Sequence, residues 1–245
     1  MADTLVRQAA NVLDLLEYFA RRGRPAGAAE IAEELGWPRS STFNLVGTLA
    51  ARGYLYEAAP RAGHYPTPRW LAMAEAIAAA EPLPGEIQRL ARALLEETGE
   101  TTVIAAPAGT HATFVHVEES RRPVRFFAQV GDRVPIQASS AGRALLAQMP
   151  PDERERLYRR IDFQSFSATS PVDAETVEAE LRAADARGYH QSQAEYTPDL
   201  AGVALPLPGA RRLSVVVVGP VSRCLDRRAE TAALVRDRLA TLERD

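Results

Sequence analysis

The residues that most constrain the fold of this chain are 28–56, AAEIAEELGWPRSSTFNLVGTLAARGYLY. Gly36, Trp37 and Pro38 interrupt the stretch near its centre. Because glycine tolerates a left-handed φ and proline can open a helix but not continue one, these residues end one helix and begin another. The apolar residues before the interruption recur at the spacing of one helix face: Ala28, Ile31, Ala32 and Leu35. The stretch therefore predicts a helix-turn-helix.

The second helix, predicted over residues 40–52, has two different sides when its residues are placed about 100° apart. The side predicted to be buried holds Thr42, Phe43, Val46, Leu49 and Ala50. The side predicted to be exposed holds Ser40, Ser41, Asn44, Thr48 and Arg52. This exposed side is polar and has no acidic residue, which suits a DNA groove lined by phosphates and base edges.

Four residues of this helix, and Arg39 just before it, have specific expected roles. Ser40 is the predicted N-cap, and Arg39 and Ser41 lie where a helix N-terminus meets a phosphate. Asn44 and Thr48 are the predicted base-reading residues. Ordinary surface helices also have a polar face, and helix-turn-helix shapes occur as packing modules. The segment alone therefore leaves both interpretations open.

Two short strands after the second helix predict the wing of a winged helix-turn-helix. Residues 54–57 and 64–66 are rich in tyrosine and flank a segment of turn-forming residues. We expect Arg61 and His64 in this hairpin to contact the DNA backbone or its groove. Residues 36–69 contain four arginines and one glutamate, whereas the whole chain has a formal net charge of −3. Positive charge is thus concentrated in the predicted DNA-binding segment.

Several runs of sequence resemble the isocitrate lyase regulator (IclR) family of bacterial transcription factors. They are LG-x-P-x-SST at 35–42, ARGYL at 51–55, GHY at 63–65, EYTP-x-x-AG at 195–202 and V-x-G-P-x-x-R at 217–223. The resemblance covers essentially the whole chain. Many members carry arginine where this chain has Asn44, and an asparagine there would favour adenine.

The second half of the chain predicts a domain with an α+β fold. Apolar, β-branched or aromatic runs separated by turn residues predict strands at 101–106, 113–118, 124–130, 189–193, 201–207 and 213–219. Predicted helices fall at 86–98, 140–148, 151–161, 173–187 and 227–242. Strands enclosed by helices at both ends suggest a mostly antiparallel sheet. The resemblance implies that this domain is GAF-like and binds an effector.

The predicted organisation is a winged helix-turn-helix domain at 1–66, a linker helix and hinge at 67–85, and the GAF-like domain at 86–245. Residues 68–80 form the linker helix, and the proline-rich segment 81–85 ends it and marks the domain boundary. The resemblance implies that the linker helix packs against its counterpart in a second chain.

A second candidate site lies where residues 134–147, VPIQASSAGRALLA, place small residues at the start of a helix. Ser139, Ser140 and Ala141 would leave backbone N–H groups open to an anion. A capped helix whose small residues only allow close packing is the alternative interpretation of an isolated SSAG. The resemblance implies that this turn borders the effector pocket and that Ser140 and Ala141 donate hydrogen bonds to a carboxylate.

The resemblance also assigns the remaining pocket residues, which are Ser192, Gly202, Val216 and Val218. Family members that bind very small keto acids are polar at several of these positions, where this chain has glycine and valine. An apolar pocket with one anion-binding end favours a larger organic acid, such as an aromatic one, over a two- or three-carbon acid.

Enzymatic interpretations find little support in the sequence. It contains no G-x-S-x-G, P-loop or H-E-x-x-H motif, and His64 and His190 are far from the other histidines. His111 and His116 are five residues apart, which predicts opposite faces of one strand and not a shared metal. The single cysteine, Cys224, has no partner for an internal disulfide. We expect no catalytic residue, metal or cofactor.

The composition is that of an ordinary soluble protein, and we expect the chain to stay in the cytoplasm. The chain is 46% hydrophobic, and no apolar run approaches the roughly 18 residues that a membrane span needs. The N-terminal sequence lacks the features of a signal peptide. At 245 residues the chain is long enough for two domains, each with its own core.

These observations predict a ligand-responsive transcriptional regulator, a repressor of a catabolic operon. Its expected partners are double-stranded operator DNA, a small organic acid effector, and further copies of itself in a homodimer or a dimer of dimers. The alternative is a small-molecule-binding dimerisation protein whose winged helix docks a protein partner instead of DNA. A GAF-like enzyme is a further alternative with less support.

Overall fold

The computed structural model describes residues 6–59, 62–80 and 82–242. The chain divides into two compact units, Met1–Pro82 and Leu83–Asp245, and each is considered by itself. In the described part of the chain, no helix is both long enough and apolar enough to cross a lipid bilayer.

The N-terminal unit is a winged helix-turn-helix followed by one more helix. Its elements are α1 (Arg7–Arg22), α2 (Ala28–Glu34), α3 (Arg39–Ala51), β1 (Leu55–Glu57), β2 (His64–Pro66) and α4 (Arg69–Ala80). The two strands pair antiparallel, as expected for the predicted hairpin. Apolar side chains from α1, α2, α3 and β1 form the core, among them Phe19, Ile31, Val46 and Leu55.

The turn between α2 and α3 follows the chemistry of its residues. Gly36 has a φ of +66°, a left-handed conformation that glycine adopts without strain. The Trp37 N–H donates to the carbonyl oxygen of Ala32 at 2.8 Å, which satisfies one of the last carbonyls of α2. Pro38, with a φ of −60°, is the residue immediately before α3. The glycine and proline therefore place the two helices as the sequence predicts.

The C-terminal unit is a six-stranded sheet enclosed by helices. Its elements are α5 (Gly85–Thr98), β3 (Thr101–Ala108), β4 (His111–Glu118), β5 (Arg133–Pro135), α6 (Ser140–Leu146), α7 (Pro151–Tyr158), α8 (Ala174–Arg187), β6 (His190–Gln193), β7 (Leu200–Pro206), β8 (Ser214–Pro220), α9 (Val221–Cys224) and α10 (Arg228–Leu242). The strand order is β5-β4-β3-β8-β7-β6, with every neighbouring pair antiparallel. The unit has the α+β architecture expected from the sequence.

Alternate residues of β8 reach two different cores. Val215 and Val217 pack with α5 and α10 on one face of the sheet. Val216 packs with α6 on the other face, and Val218 lies at the edge of the same cluster. Because side chains alternate along a strand, the apolar run at 215–218 is explained by burial on both faces.

One predicted strand is absent from its expected place. Residues 124–130 form a loop, and the edge strand is instead β5. The loop exposes Val124, Phe127 and Val130, so its apolar residues do not alternate with the period of a strand. The chain pairs with β4 only from Gly131 onward, where the Gly131 N–H donates to the Phe114 carbonyl at 2.8 Å.

A bulge in β4 reverses the expected placement of two histidines. His116 pairs with Ile104 and His111 pairs with Ala108, and the register shifts between these pairs so that Val115 is the extra residue. Ile104 and Ala108 lie on the same face of β3 because they are four residues apart. The expectation that His111 and His116 lie on opposite faces is therefore wrong, since one bulged residue changes the phase of a strand.

Gly142, in α6, lies directly against the backbone of the preceding loop. A Cβ added there would be 2.1 Å from the Ile136 carbonyl oxygen. We expect Gly142→Ala to lower the free energy of unfolding by about 1–3 kcal/mol, because neither backbone segment can give way easily. Scanning calorimetry of the full chain measures this.

Gly47 is the matched control for this substitution. It lies inside α3, and an added Cβ would meet no atom within 4 Å. Gly47→Ala should therefore stabilise the protein, by about 0.5–1 kcal/mol, through the better helix propensity of alanine. Equal effects of the two substitutions would show that the close approach at Gly142 carries no strain.

His190 should make stability depend on pH. Its side chain is buried, and burial together with the nearby Arg143 and Arg187 guanidinium groups lowers the pKa of His190 to about 4. The unfolded chain takes up this proton below pH ~6.5, whereas the folded chain remains neutral, so stability falls as the pH drops from 6.5 toward 4. The loss between pH 7 and pH 4.5 should be about 2–3 kcal/mol.

Urea denaturation at several pH values, with His190→Asn beside the wild type, isolates this contribution. The variant should lose less stability than the wild type on acidification, because asparagine does not titrate. Identical pH profiles for the two proteins would contradict the assignment.

Candidate functional site

The outward face of α3 is polar with one aromatic side chain. The residues exposed on it include Arg39, Ser40, Ser41, Phe43, Asn44 and Thr48. Thr42, Val46 and Leu49 are buried on the opposite side. No acidic residue occurs anywhere in α3, so the exposed face carries no charge that would repel a phosphate.

The first turn of α3 differs from the sequence-based expectation. The residue before the helix is Pro38 and not Ser40, and no side chain caps the helix. The hydroxyls of Ser41 and Thr42 both donate to the Pro38 carbonyl oxygen, at 2.9 and 3.0 Å. The predicted N-cap at Ser40 is wrong because the helix starts at Arg39, which leaves Ser40 exposed within the first turn.

The predicted base-reading residues are adjacent on the helix surface. The Thr48 hydroxyl donates to the Asn44 carbonyl oxygen at 2.7 Å, one turn back along α3. This bond occupies the hydroxyl donor of Thr48. The Asn44 side chain is exposed, and its amide forms no hydrogen bond with another of the described residues. Asn44 therefore offers an amide that is available to a base edge.

The sequence pattern predicted that Phe43 lies on the buried side of α3. The structure shows that this prediction is wrong. Its side chain is 55% exposed. The buried stripe of α3 runs through Thr42, Val46 and Leu49, at i, i+4 and i+7. Phe43 follows Thr42 by one residue, about 100° around the helix, and so it points away from this stripe.

The wing is attached to the segment between α1 and α2. His64 and Ala26 exchange two backbone hydrogen bonds, of 2.8 and 3.0 Å. Gly63 has a φ of +87°, and a Cβ there would lie 2.3 Å from the Ala26 carbonyl carbon. The His64 ring is half-buried and its Nδ1 is buried without a hydrogen-bond partner in the described chain. Arg61, the other predicted wing contact, lies outside the described residues.

A cavity in the C-terminal unit lies between the sheet and the start of α6. It spans about 490 Å³ that is free of protein atoms, a volume that includes space open to solvent. Six of the predicted effector-binding residues line it: Ser139, Ser140, Ala141, Ser192, Val216 and Val218. The structure thus brings together residues that lie far apart in sequence.

Gly202, the seventh predicted residue, adjoins the polar end of this cavity. It pairs with Ser192 on one side and Val218 on the other. A Cβ on Gly202 would lie 2.7 Å from the Ser140 Oγ and 3.0 Å from the Ser192 Oγ. The Ser192 hydroxyl donates to the Ser140 Oγ at 3.3 Å. The absence of a side chain at Gly202 therefore leaves room for the two hydroxyls to meet.

The first turn of α6 faces the cavity. Ser139 caps the helix: its Oγ accepts from the Gly142 N–H at 3.1 Å and donates to the Pro135 carbonyl at 2.8 Å. Its hydroxyl is therefore already engaged. The N–H groups of Ser140 and Ala141 have no partner within the helix, as is usual for a first turn. They can donate to a ligand in the cavity.

A buried ion pair, which the sequence did not suggest, lies beside the cavity. Arg143 is 2% exposed, and it binds Glu195 through Nη1–Oε2 at 2.5 Å and Nη2–Oε1 at 2.9 Å. Arg143 also donates to the carbonyl oxygens of Gln137 and Gln191. Glu195 lines the cavity with its charge neutralised. The only sequence signal was an arginine within an otherwise apolar helix.

Apart from Val216 and Val218, the apolar lining of the cavity was also missing from the sequence-based set. It is formed by Val103, Phe114, Phe126 and Leu200, with the Tyr196 side chain. Phe114 and Phe126 meet edge to face, with ring centroids 6.2 Å apart. Phe126 lies in the segment that was predicted as a strand but forms a loop. The side-chain alternation of a strand therefore could not predict its inward orientation.

The environment of the single cysteine, Cys224, disfavours ionisation of its thiol. Burial and the neighbouring Glu100 carboxylate raise the pKa of the Cys224 thiol to about 11, which disfavours the thiolate. Among the described residues, no group of three or more His, Cys, Asp or Glu side chains could hold a metal ion.

Comparison with known proteins gives the same two units. Residues 8–59 match the model of the IclR helix-turn-helix domain, and residues 79–242 match that of the bacterial transcriptional regulator IclR C-terminal domain. The chain is 28% identical over 226 residues to the HTH-type transcriptional regulator BhcR of Paracoccus denitrificans, covering 91% of this chain and 81% of that protein. It is 27% identical over 227 residues to the HTH-type transcriptional repressor AllR of Klebsiella pneumoniae, covering 91% and 84%.

A solved structure shares the fold along nearly the whole chain. It is an IclR homolog from Microbacterium hydrocarbonoxydans complexed with 4-hydroxybenzoate, with a TM-score of 0.73, 21% identity, and coverage of 96% of this chain and 98% of that one. These relatives are named as transcriptional regulators and not as enzymes. With both of its units matched, the chain belongs to the IclR family of bacterial transcriptional regulators.

Proposed function

We propose that this regulator represses a catabolic operon and that a small organic carboxylate, bound in the C-terminal unit, controls its hold on the operator. The observation that carries the proposal is the cavity that joins an apolar wall to the free first-turn N–H groups of α6. Two findings support it: a relative is named a repressor, and a structural neighbour was crystallised with an aromatic acid.

The operator contacts that we propose follow the exposed surface of α3 and the wing. Arg39, Ser40 and Ser41 at the start of α3 hold a phosphate, and Asn44 and Thr48 face the bases. In the wing, His64 contacts the DNA through the ring nitrogen that is not buried, and Arg61 supplies positive charge. Only the contacts to bases distinguish one sequence from another.

A second copy of the chain completes the proposed assembly. On α4, Leu71 is 63% exposed and Ile77 is 67% exposed. Glu75 is the one polar residue between these two positions. Exposed apolar surface of this kind is stabilised by a partner. In a homodimer, or a dimer of dimers, paired α3 helices read half-sites about 34 Å apart or a multiple of that distance.

The proposed effector is larger than a two- or three-carbon keto acid. Val216, Val218 and the two phenylalanines give the cavity an apolar wall, which offers nothing to the polar groups of glyoxylate or pyruvate. The carboxylate lies at the Ser140–Ser192 end. The bound acid changes the affinity for DNA only to the extent that it binds the operator-bound and free forms differently.

The DNA-binding assignment predicts different outcomes for two α3 variants. Asn44→Ala should weaken binding to the operator by about 1–3 kcal/mol and change binding to random duplex little, because a base contact is lost. Arg39→Ala should weaken both and reduce the slope of log Kd against log salt by about 1, because a phosphate contact is lost. Fluorescence anisotropy at several salt concentrations measures both, and equal losses on the two DNAs for Asn44→Ala would remove it from base recognition.

The effector assignment predicts selective stabilisation by larger acids. At about 100 times its Kd, a bound acid such as 4-hydroxybenzoate should raise the free energy of unfolding by ~2.7 kcal/mol. Glyoxylate and pyruvate at the same concentration should have a much smaller effect. A thermal-shift series measures this, and stabilisation by the two small acids alone would contradict the proposal.

Gly202→Ala tests whether the acid occupies this cavity. The added methyl group would reach the Ser140–Ser192 end and should weaken binding by about ten-fold, a typical effect of overpacking. Gly47→Ala, which makes the same change where no atom lies within 4 Å, should leave the Kd unaltered. Isothermal titration calorimetry with both variants separates a local effect from a global one.

A further inference from the structure

The outward face of α3 contains an apolar group that polar recognition of DNA does not require. Phe43 is 55% exposed, and it belongs neither to the core of the N-terminal unit nor to the aromatic contacts among the described residues. Burial of a phenylalanine ring away from water is favourable in free energy, and an exposed ring does not gain this stabilisation. A partner that covers the ring therefore gains this free energy on binding.

The neighbours of Phe43 leave its ring accessible from the helix surface. Gly47 follows Phe43 by one turn on the same side of α3, and a Cβ at that position would meet no atom within 4 Å. Asn44, directly after Phe43, is also exposed. The ring therefore borders a shallow gap that another molecule can enter, beside the amide that is available to a base.

Thr48 adds a second apolar group to the same face. Its hydroxyl hydrogen is directed to the Asn44 carbonyl oxygen at 2.7 Å, which is a bond within the helix. The methyl group is the other end of this exposed side chain. Asn44 thus stands between an aromatic ring and a methyl group.

The major groove offers one apolar feature to such groups, the C5-methyl of thymine. Phenylalanine and the threonine methyl are both side-chain groups that contact it, whereas asparagine binds the N6 and N7 edge of adenine. We infer that Phe43 and the Thr48 methyl group recognise thymine methyl groups in the operator, next to the adenine bound by Asn44. This inference rests on the proposed binding of α3 in the major groove.

Replacement of thymine by uracil tests the inference directly, because it removes the methyl group and keeps base pairing. The full-length protein first selects its operator from a pool of randomised duplexes. The selected fragment is then amplified with dTTP or with dUTP, and the Kd of each product is measured by fluorescence anisotropy. For the wild type, the uracil fragment should bind more weakly by about four-fold for each methyl contact that is lost.

Three variants locate the effect. Phe43→Ala should bind the thymine fragment more weakly than the wild type, and its ratio of uracil to thymine Kd should be smaller by about four-fold. Thr48→Ser, which keeps the hydroxyl and removes the methyl, should also reduce the ratio. Phe127→Ala makes the same change at a 59% exposed phenylalanine of the C-terminal unit and should keep the wild-type ratio.

The outcomes separate this inference from the proposed function. If the selection yields no preferred duplex, the proposed operator binding itself is wrong. If the protein binds its selected operator but the ratio is the same for the wild type, Phe43→Ala and Thr48→Ser, the thymine contacts are wrong and DNA binding stands. Circular dichroism spectra that match the wild type show that the exposed substitutions leave α3 folded.

Discussion

The pairing of Arg143 with Glu195 is the interaction on which the cavity of the C-terminal unit depends. A guanidinium that is 2% exposed needs a partner for its charge, since an unpaired buried charge is strongly destabilising. Arg143 lies in α6 and also donates to carbonyl oxygens of Gln137, before α6, and Gln191, in β6. One side chain therefore joins the helix that carries the free N–H groups to the strand and loop that form the opposite wall.

This pairing also stabilises a loop whose backbone is unfavourable by itself. Ala194 and Asp199, on either side of the loop that connects β6 and β7, are the non-glycine residues with positive φ in the described chain. Such conformations cost about 1 kcal/mol or more each. The Ser170 hydroxyl donates to the Glu195 carbonyl at 2.5 Å, in addition to the ion pair. The loop is thus held in place by contacts within the chain, and for the effector binding that we propose this limits the entropy lost on binding.

The sequence predicted features that depend on local chemistry and missed those that depend on contacts between distant segments. Gly36 and Pro38 fixed the helix-turn-helix, and SSAG marked the start of α6. The ion pair, by contrast, joins residues 52 apart, and no local pattern indicates it. The helical periodicity did not predict the outward position of Phe43, because an apolar residue beside the buried stripe is ordinarily assigned to that stripe. A residue that violates the binary pattern is itself a sign of a binding surface.

The two candidate sites differ in how tightly the fold constrains them. On α3 the outward residues contact solvent, so they can change with little effect on the core. In the cavity, Val216 and Val218 alternate along β8 with Val215 and Val217, which pack against α5 and α10. The register of the strand is fixed by the second set, because a shift of one residue would exchange the two faces. Under the proposed function, a different effector therefore requires new side chains at 202 in β7 and at 216 and 218 in β8, with both strands unmoved. A different operator requires only new side chains on an exposed helix.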